Sequence, residues 1–551
     1  MKNATLLFKN ANVLTLDKQN TRAGSVAVAE GEIIGIWQES EPPKNAVGIT
    51  DQTDVIDLNG DTLIPGFIDT HNHILMYALM KDMADCSTPP NKTIEDILDV
   101  VGQKVQETPA GEWIQGYGYD DTLLEDQRHP TQTDLDKAAP NHPVLIKHIS
   151  GHLAVANSYA LKLAGLDADT PDPQGGHYGR EENGQLNGVL YEHEAMAAIN
   201  NLLPQKSEKK MIELLSETSN EYLAQGITTN SDAAVYSLKH LNVHLEAARH
   251  SLNPMRTQLM IKDALLRDDG PLAGYTHAAL DEEIRHRSNG LARLDSAKMF
   301  QDGSIQGLTG ALRKPYYQNP ELYGDLIHKQ DVFQEEVLDL HQRGFRVTTH
   351  GNGDRAIGSI LDAYEYALNK SPNEDHRHRI EHVQSAVPED LARMEALRVA
   401  GSFFINHVYY WGDRHEQIFL GPERARRISP LKEAVDHHLL FTIHSDCPIT
   451  PISPLFSVWA AANRITREGK VLGPEQRIEV ITALKSMTIY AADLIFQGNR
   501  LGSIEKGKRA DFAILSEDPV SADPERIKDI TVKSTFIDGE PVYGQSELVT
   551  S

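Results

Sequence analysis

A (β/α)8 barrel of the TIM type, with a small β-sandwich built from both chain ends and a subdomain inserted after strand 1, is the α/β fold predicted for this 551-residue sequence. Three observations predict it. Eight short β-rich runs alternate with helical periodicity between residues 63 and 445, as βα units in series require. Both termini read as β-structure. The first two runs lie about 150 residues apart, whereas an ordinary βα connection takes about 2–6.

In chain order, residues 5–16, 24–36 and 53–57 are β-rich runs punctuated by turns such as Glu30-Gly31-Glu32. Residues 511–515 and 531–537 are their counterparts, with a turn at Asp538-Gly539 before Pro541-Val542-Tyr543. Neither set can bury a face alone, so residues 1–62 and 490–551 are expected to pair into one sandwich domain. The barrel takes residues 63–74 and 221–489. Its strands are expected at Leu63–His73, Gly226–Asp232, Met255–Ile261, Ser296–Gln301, Phe345–His350, His378–Val383, Ser402–His407 and Leu439–Ser445. Helical segments with charged faces, such as Gln334–Arg343 and Pro388–Arg398, stand between them. Residues 75–220 form the inserted α/β subdomain, which carries a β-run at Pro143–His148 and is expected to cover the active site.

Fifty-three basic residues face 79 acidic ones, a formal charge of −26. Such a field repels phosphate backbones, which argues against nucleic acid as a partner. Two cysteines, Cys86 and Cys447, cannot make a disulfide framework, so a reducing, cytoplasmic setting is expected. No stretch approaches the roughly 18 consecutive apolar residues of a membrane span. The N-terminal Leu6-Leu7-Phe8 and Val13-Leu14-Thr15-Leu16 read as strands, not as a signal peptide. The expected partner is a small molecule.

His71-Asn72-His73 closes the apolar run that begins at Leu63. Side chains alternate along a strand, so the two imidazoles point to one side and can grip one metal ion together. Spacing alone does not single them out, because His376-Arg377-His378 repeats it in a charged, loop-like stretch. Residues downstream do. Functional side chains of this barrel type gather at C-terminal strand ends. Those ends carry Lys298 in strand four, His350 in strand five, His382 in strand six and Asp446 in strand eight. Four histidines and an aspartate at one mouth match the nitrogen and oxygen ligand set of hydrolytic zinc sites. His407, ending strand seven, is a candidate substrate contact, and so is Asp302. His444 shares the side of Asp446, as pocket lining or as packing. Glu381, beside His382 on a strand, points away from it into a structural or ligand-supporting role.

These residues stand in segments that resemble the amidohydrolase superfamily, in particular the branch of the N-substituted formamide deformylases and YtcJ-like metal-dependent hydrolases. The matching segments are Pro65–His73, Gly116–Asp120, Ser150-Gly151-His152, Asn157-Ser158, Lys298 with Asp302-Gly303-Ser304, and His350–Asp354. Arg379–His382, Ser445–Pro448 and Gly507–Asp511 complete them, in order over nearly the whole chain. The resemblance implies a binuclear centre, in which His71, His73 and Asp446 hold the more buried divalent metal and His350 and His382 the second. A carboxylated Lys298, formed with CO2, would bridge them. Some relatives use a cysteine bridge, for which Cys86 is the candidate here. Zinc is the preferred ion, with one or both sites occupied. His152 and Tyr119 would contact substrate, with Asp120 beside them. The implied reaction is hydrolysis of a C–N bond, amide or N-formyl, by a metal-activated water with Asp446 as general base and then acid. Hydrolysis of an ester, lactone or cyclic imide is the alternative, and a non-enzymatic scaffold a remote one. A homodimer is implied by the family only.

Overall fold

The computed structural model describes residues 2–149, 151, 153–173 and 176–544. Contacts divide it into two compact units, Met1–Leu75 with Leu215–Ser551, and Met76–Leu214. In the first unit, eight strands form one sheet whose order follows the chain: β1 (Phe67–Asn72), β2 (Ile227–Val235), β3 (Arg256–Lys262), β4 (Ala292–Phe300), β5 (Val347–Gly351), β6 (Arg379–His382), β7 (Ala400–Phe403) and β8 (Phe441–Ile443). Every neighbouring pair is parallel. The sheet closes just beyond the ends of β1 and β8, where the His73 N–H donates to the Cys447 carbonyl at 2.8 Å and the Asp446 N–H to that of His71 at 3.3 Å. The Ser445 hydroxyl adds a bond to Asp69 at 2.9 Å. This is the predicted barrel.

The run expected as one strand from Leu63 is two. Thr62–Pro65 belongs to a six-stranded sheet of the sandwich, and β1 starts at Phe67. Gly66 makes the break, because a Cβ there would meet the Thr228 side chain at 2.3 Å. On the sandwich side, Thr62–Pro65 pairs antiparallel with Phe512–Leu515, so sequence-distant ends share one sheet. A second, four-stranded sheet holds Leu6–Lys9, Ser25–Ala29, Glu32–Trp37 and Asp54–Asp57. Phe8 lies edge-on to Phe512 and Phe536 at centroid distances of 5.6 and 5.2 Å, in a core shared with Val13, Val26 and Ile514.

The other unit is a six-stranded mixed sheet, with parallel pairing of Ala84–Asp85, Ile114–Tyr119 and Val144–His148. Helices Ile94–Glu107 and Gln132–Ala138 each begin with a capping box, Thr93 with Asp96 and Thr131 with Asp134. Cys86 is fully buried in this unit's apolar core with Ile97, Val101 and Ile146, and burial pushes its thiol up to about 12. A thiol so placed packs as a small apolar side chain. No helix among the described residues is long and apolar enough to cross a membrane.

Asp302, by expectation a substrate contact, is held by the backbone, its Oδ1 3.8 Å from His350 Nε2. It is buried, one oxygen accepts the Asn352 N–H at 3.0 Å, and the other accepts those of Ala311 and Gly353 at 2.9 and 2.7 Å. The carboxylate thereby fastens the long connection after β4 to the turn after β5. Burial pushes its carboxyl up to about 7 against these three donors. Asp302→Ala would orphan three N–H groups at about 1–3 kcal/mol each, so we expect a stability loss of at least about 3 kcal/mol in urea unfolding. A loss within about 0.5 kcal/mol, the scale of a surface substitution, would show that the carboxylate is dispensable. Phe8→Ala is expected to cost about 3–5 kcal/mol in the same measurement, since it empties the core that joins the two chain ends.

Candidate metal centre

β1 delivers His71, and His73 follows it by one residue beyond the strand. Their Nε2 atoms lie 3.3 and 3.2 Å from the same oxygen, Asp446 Oδ1. That oxygen is buried yet makes no hydrogen bond of acceptable geometry among the described residues. Three donor atoms thus converge on one point without satisfying one another, as ligands of a common cation do. Asp446 reaches this position through a left-handed backbone, φ +53°. Burial works to raise its carboxyl, but the adjoining His71 and His73 imidazoles hold it well below the usual carboxylate range.

A second convergence adjoins the first. His350 Nδ1 and His382 Nε2 face each other at 3.0 Å, and the His71 and His382 rings are 4.9 Å apart. Burial pushes the His350 imidazole down to about 3, so it is neutral and its lone pair is available. Its Nε2 lies 3.2 Å from the Gly303 carbonyl. His382 Nδ1 lies 3.2 Å from His444 Nε2, and His444 Nδ1 lies 2.8 Å from the Ser402 hydroxyl. A proton on each Nδ1 satisfies this chain and leaves His382 Nε2 free to ligate. Lys298 projects from β4, wholly buried, its Nζ without a hydrogen-bond partner among the described residues. Burial pushes it down to about 8.

Glu381 supports the first group. Its Oε2 meets His71 Nδ1 at 2.5 Å, while Arg379 bonds its other oxygen. The Arg379 guanidinium continues to Asp295 at 3.5 Å, and Asp295 pairs with Arg346. Burial opposes ionisation of Glu381, but the Arg379 guanidinium and His71 hold its carboxyl well below the ordinary range. Strand alternation alone would put Glu381 and His382 on opposite faces. A φ of +69° at His382, followed by +47° at Val383, breaks the alternation, so both residues reach the centre. Backbone strain of this kind clusters at functional sites.

His407 and Tyr119 are both buried. His407 lies four residues past β7 as the first residue of a helix, because the strand ends at Phe403. There it is buried, with its ring on Phe404 at a centroid distance of 4.0 Å and its Nε2 3.3 Å from Gln306 Nε2. Tyr119 is fully buried in the core of the other unit, its hydroxyl 3.3 Å from His129 Nδ1. His152 lies outside the described residues. His378, of the second His-x-His, precedes β6 and bonds His341 at 3.0 Å, a packing role. Sequence reading passed over Asp69 and Asp295. Asp69 shares the strand face of His71 by period-two alternation, which could have found it. Asp295 stood out only as a charge in an apolar strand.

The sequence profile of the Amidohydrolase family matches residues 54–543. The N-substituted formamide deformylase of Arthrobacter pascens is 31% identical over 97% of this chain and 97% of its own. The putative amidohydrolase YtcJ of Bacillus subtilis (strain 168) is 28% identical over 97% and 98%. A crystal structure of an uncharacterized metal-dependent hydrolase from Pyrococcus horikoshii OT3 shares the fold, with a TM-score of 0.75 at 23% identity over 94% of this chain and 99% of that one. The protein whose barrel mouth gathers these imidazoles and carboxylates belongs to the amidohydrolase family, hydrolases of carbon–nitrogen bonds.

Proposed function

We propose that this protein hydrolyses the C–N bond of a small amide or N-formyl compound. The convergence of His71, His73 and Asp446 on one point carries the reading. These three residues would hold one divalent cation, and His350, His382 and Lys298 a second, zinc being the ion that suits the donor set. A bound cation supplies Lewis acidity and lowers the pKa of water to about 7. A buried lysine near pKa 8 keeps part of its population as free amine, which adds to CO2 with loss of one proton. The resulting carbamate exchanges a buried cation for an anion with two donor oxygens.

Asp446 starts ionised, as its depressed carboxyl requires. It takes a proton from the attacking water as a C–O bond forms at the carbonyl carbon. It returns that proton to the nitrogen as the C–N bond breaks, so an N-formyl amine yields formate and the free amine. Glu381 keeps His71 oriented throughout, with Arg379 balancing its charge. The formamide reading draws on the deformylase relative, and the two buried free thiols fit a reducing cytoplasm.

Asp446→Asn should fold normally and lose about 10²–10⁴ in kcat on its best amide, and near-normal turnover would refute the proton-transfer role. A panel of N-formyl amines, amides, esters, lactones and cyclic imides tests the bond type, and preferential turnover of an ester or lactone would displace the amide reading. Glu381→Gln should weaken zinc retention about 10–100-fold in competition with a chelator, and unchanged retention would remove Glu381 from the support of His71.

A further inference from the structure

The unit formed by Met76–Leu214 holds a second convergence of nitrogen and oxygen donors. Ile114–Tyr119 and Val144–His148 run parallel as neighbours, with Tyr119 opposite His148 in register. The chain leaves the first strand into Asp120 and Asp121, so both carboxylates and His148 sit at the C-terminal edge of parallel strands. Ligand sites favour that edge in α/β sheets. His148 Nε2 lies 3.1 Å from Asp121 Oδ1 and 4.0 Å from Asp120 Oδ1. His129, arriving just before the helix at Gln132–Ala138, brings its Nδ1 to 3.5 Å from the same Asp121 oxygen. Donors bound about 2.0–2.1 Å from one tetrahedral ion stand roughly 3.4 Å apart, close to the 3.1 Å between His148 and Asp121.

We propose that Asp120, Asp121 and His148 form a binding site for a divalent first-row transition-metal ion, with His129 positioning Asp121 from beside it, separate in residues from the barrel centre. An imidazole among the donors favours such an ion over magnesium or calcium, which take oxygen. The ordinary alternative is an imidazolium–carboxylate pair. Burial pushes the His148 imidazole below its usual range, which favours a neutral ligand over an imidazolium. The surroundings fix the donors. The buried Tyr119 ring packs on His148 and His129 at centroid distances of 5.0 and 6.0 Å. Thr122 donates its N–H and hydroxyl to Asp120 at 3.0 and 2.5 Å. The four side chains are between 9% and 24% exposed, open enough for water to complete the coordination.

Dialysis of the full-length protein against zinc-buffered solutions, followed by metal quantification, tests the site. His148→Gln and His129→Gln should each bind one zinc fewer than wild type, or bind it at least about 10-fold more weakly. A His71→Asn/His73→Asn variant should keep that equivalent, so loss of the barrel site is read separately. Wild-type stoichiometry and affinity in both glutamine variants would overturn the proposal, whatever the barrel variant does. If His148→Gln does not fold, His129→Gln, whose side chain is partly exposed, decides alone.

Discussion

Closure of the barrel between its first and last strands is the constraint on which the rest depends. His71 and Asp446 stand in distant parts of the chain, yet the Asp446 N–H bonds the His71 carbonyl. The Ser445–Asp69 bond spans 376 residues and locks the same seam from the side chains. These contacts place two imidazoles within 3.3 Å of one carboxylate oxygen. Without the seam the donors would have no common point. The left-handed backbone at Asp446 and His382 belongs to the same geometry, since each turns its side chain where a regular strand would not.

A second constraint is the charge buried beneath the mouth. Lys298, Arg379, Glu381, Asp295 and Arg346 are all buried, and an isolated ion there would cost several kcal/mol. Four of them form an alternating chain, Glu381–Arg379–Asp295–Arg346, in which each charge faces an opposite one. Lys298 stands outside it, without a hydrogen-bond partner among the described residues. The proposed carbamate chemistry requires such an exception, because a firm salt bridge would hold the amine protonated.

Much of this was legible in the sequence. All eight barrel strands overlap the apolar runs that predicted them, since buried parallel strands are nearly continuous hydrophobic stretches. Strand ends then pointed to His71, Lys298, His350, His382 and Asp446, because the barrel gathers them at one mouth. What stayed hidden depended on backbone departures from regular strands. Gly66 splits a run that reads as one strand, and the positive φ at His382 sets Glu381 against His71 in spite of alternation. Asp302 read as a candidate substrate contact, and its service to three backbone donors is a role that no local pattern reveals. His407 lies beyond its strand, which ends four residues earlier than the apolar run suggested.

Anomalous diffraction at the zinc edge, from crystals grown with zinc, tests the central claim most directly. The account predicts a peak about 2.0–2.2 Å from His71 Nε2, His73 Nε2 and Asp446 Oδ1. A fully ordered barrel mouth with no peak at these three atoms would contradict it.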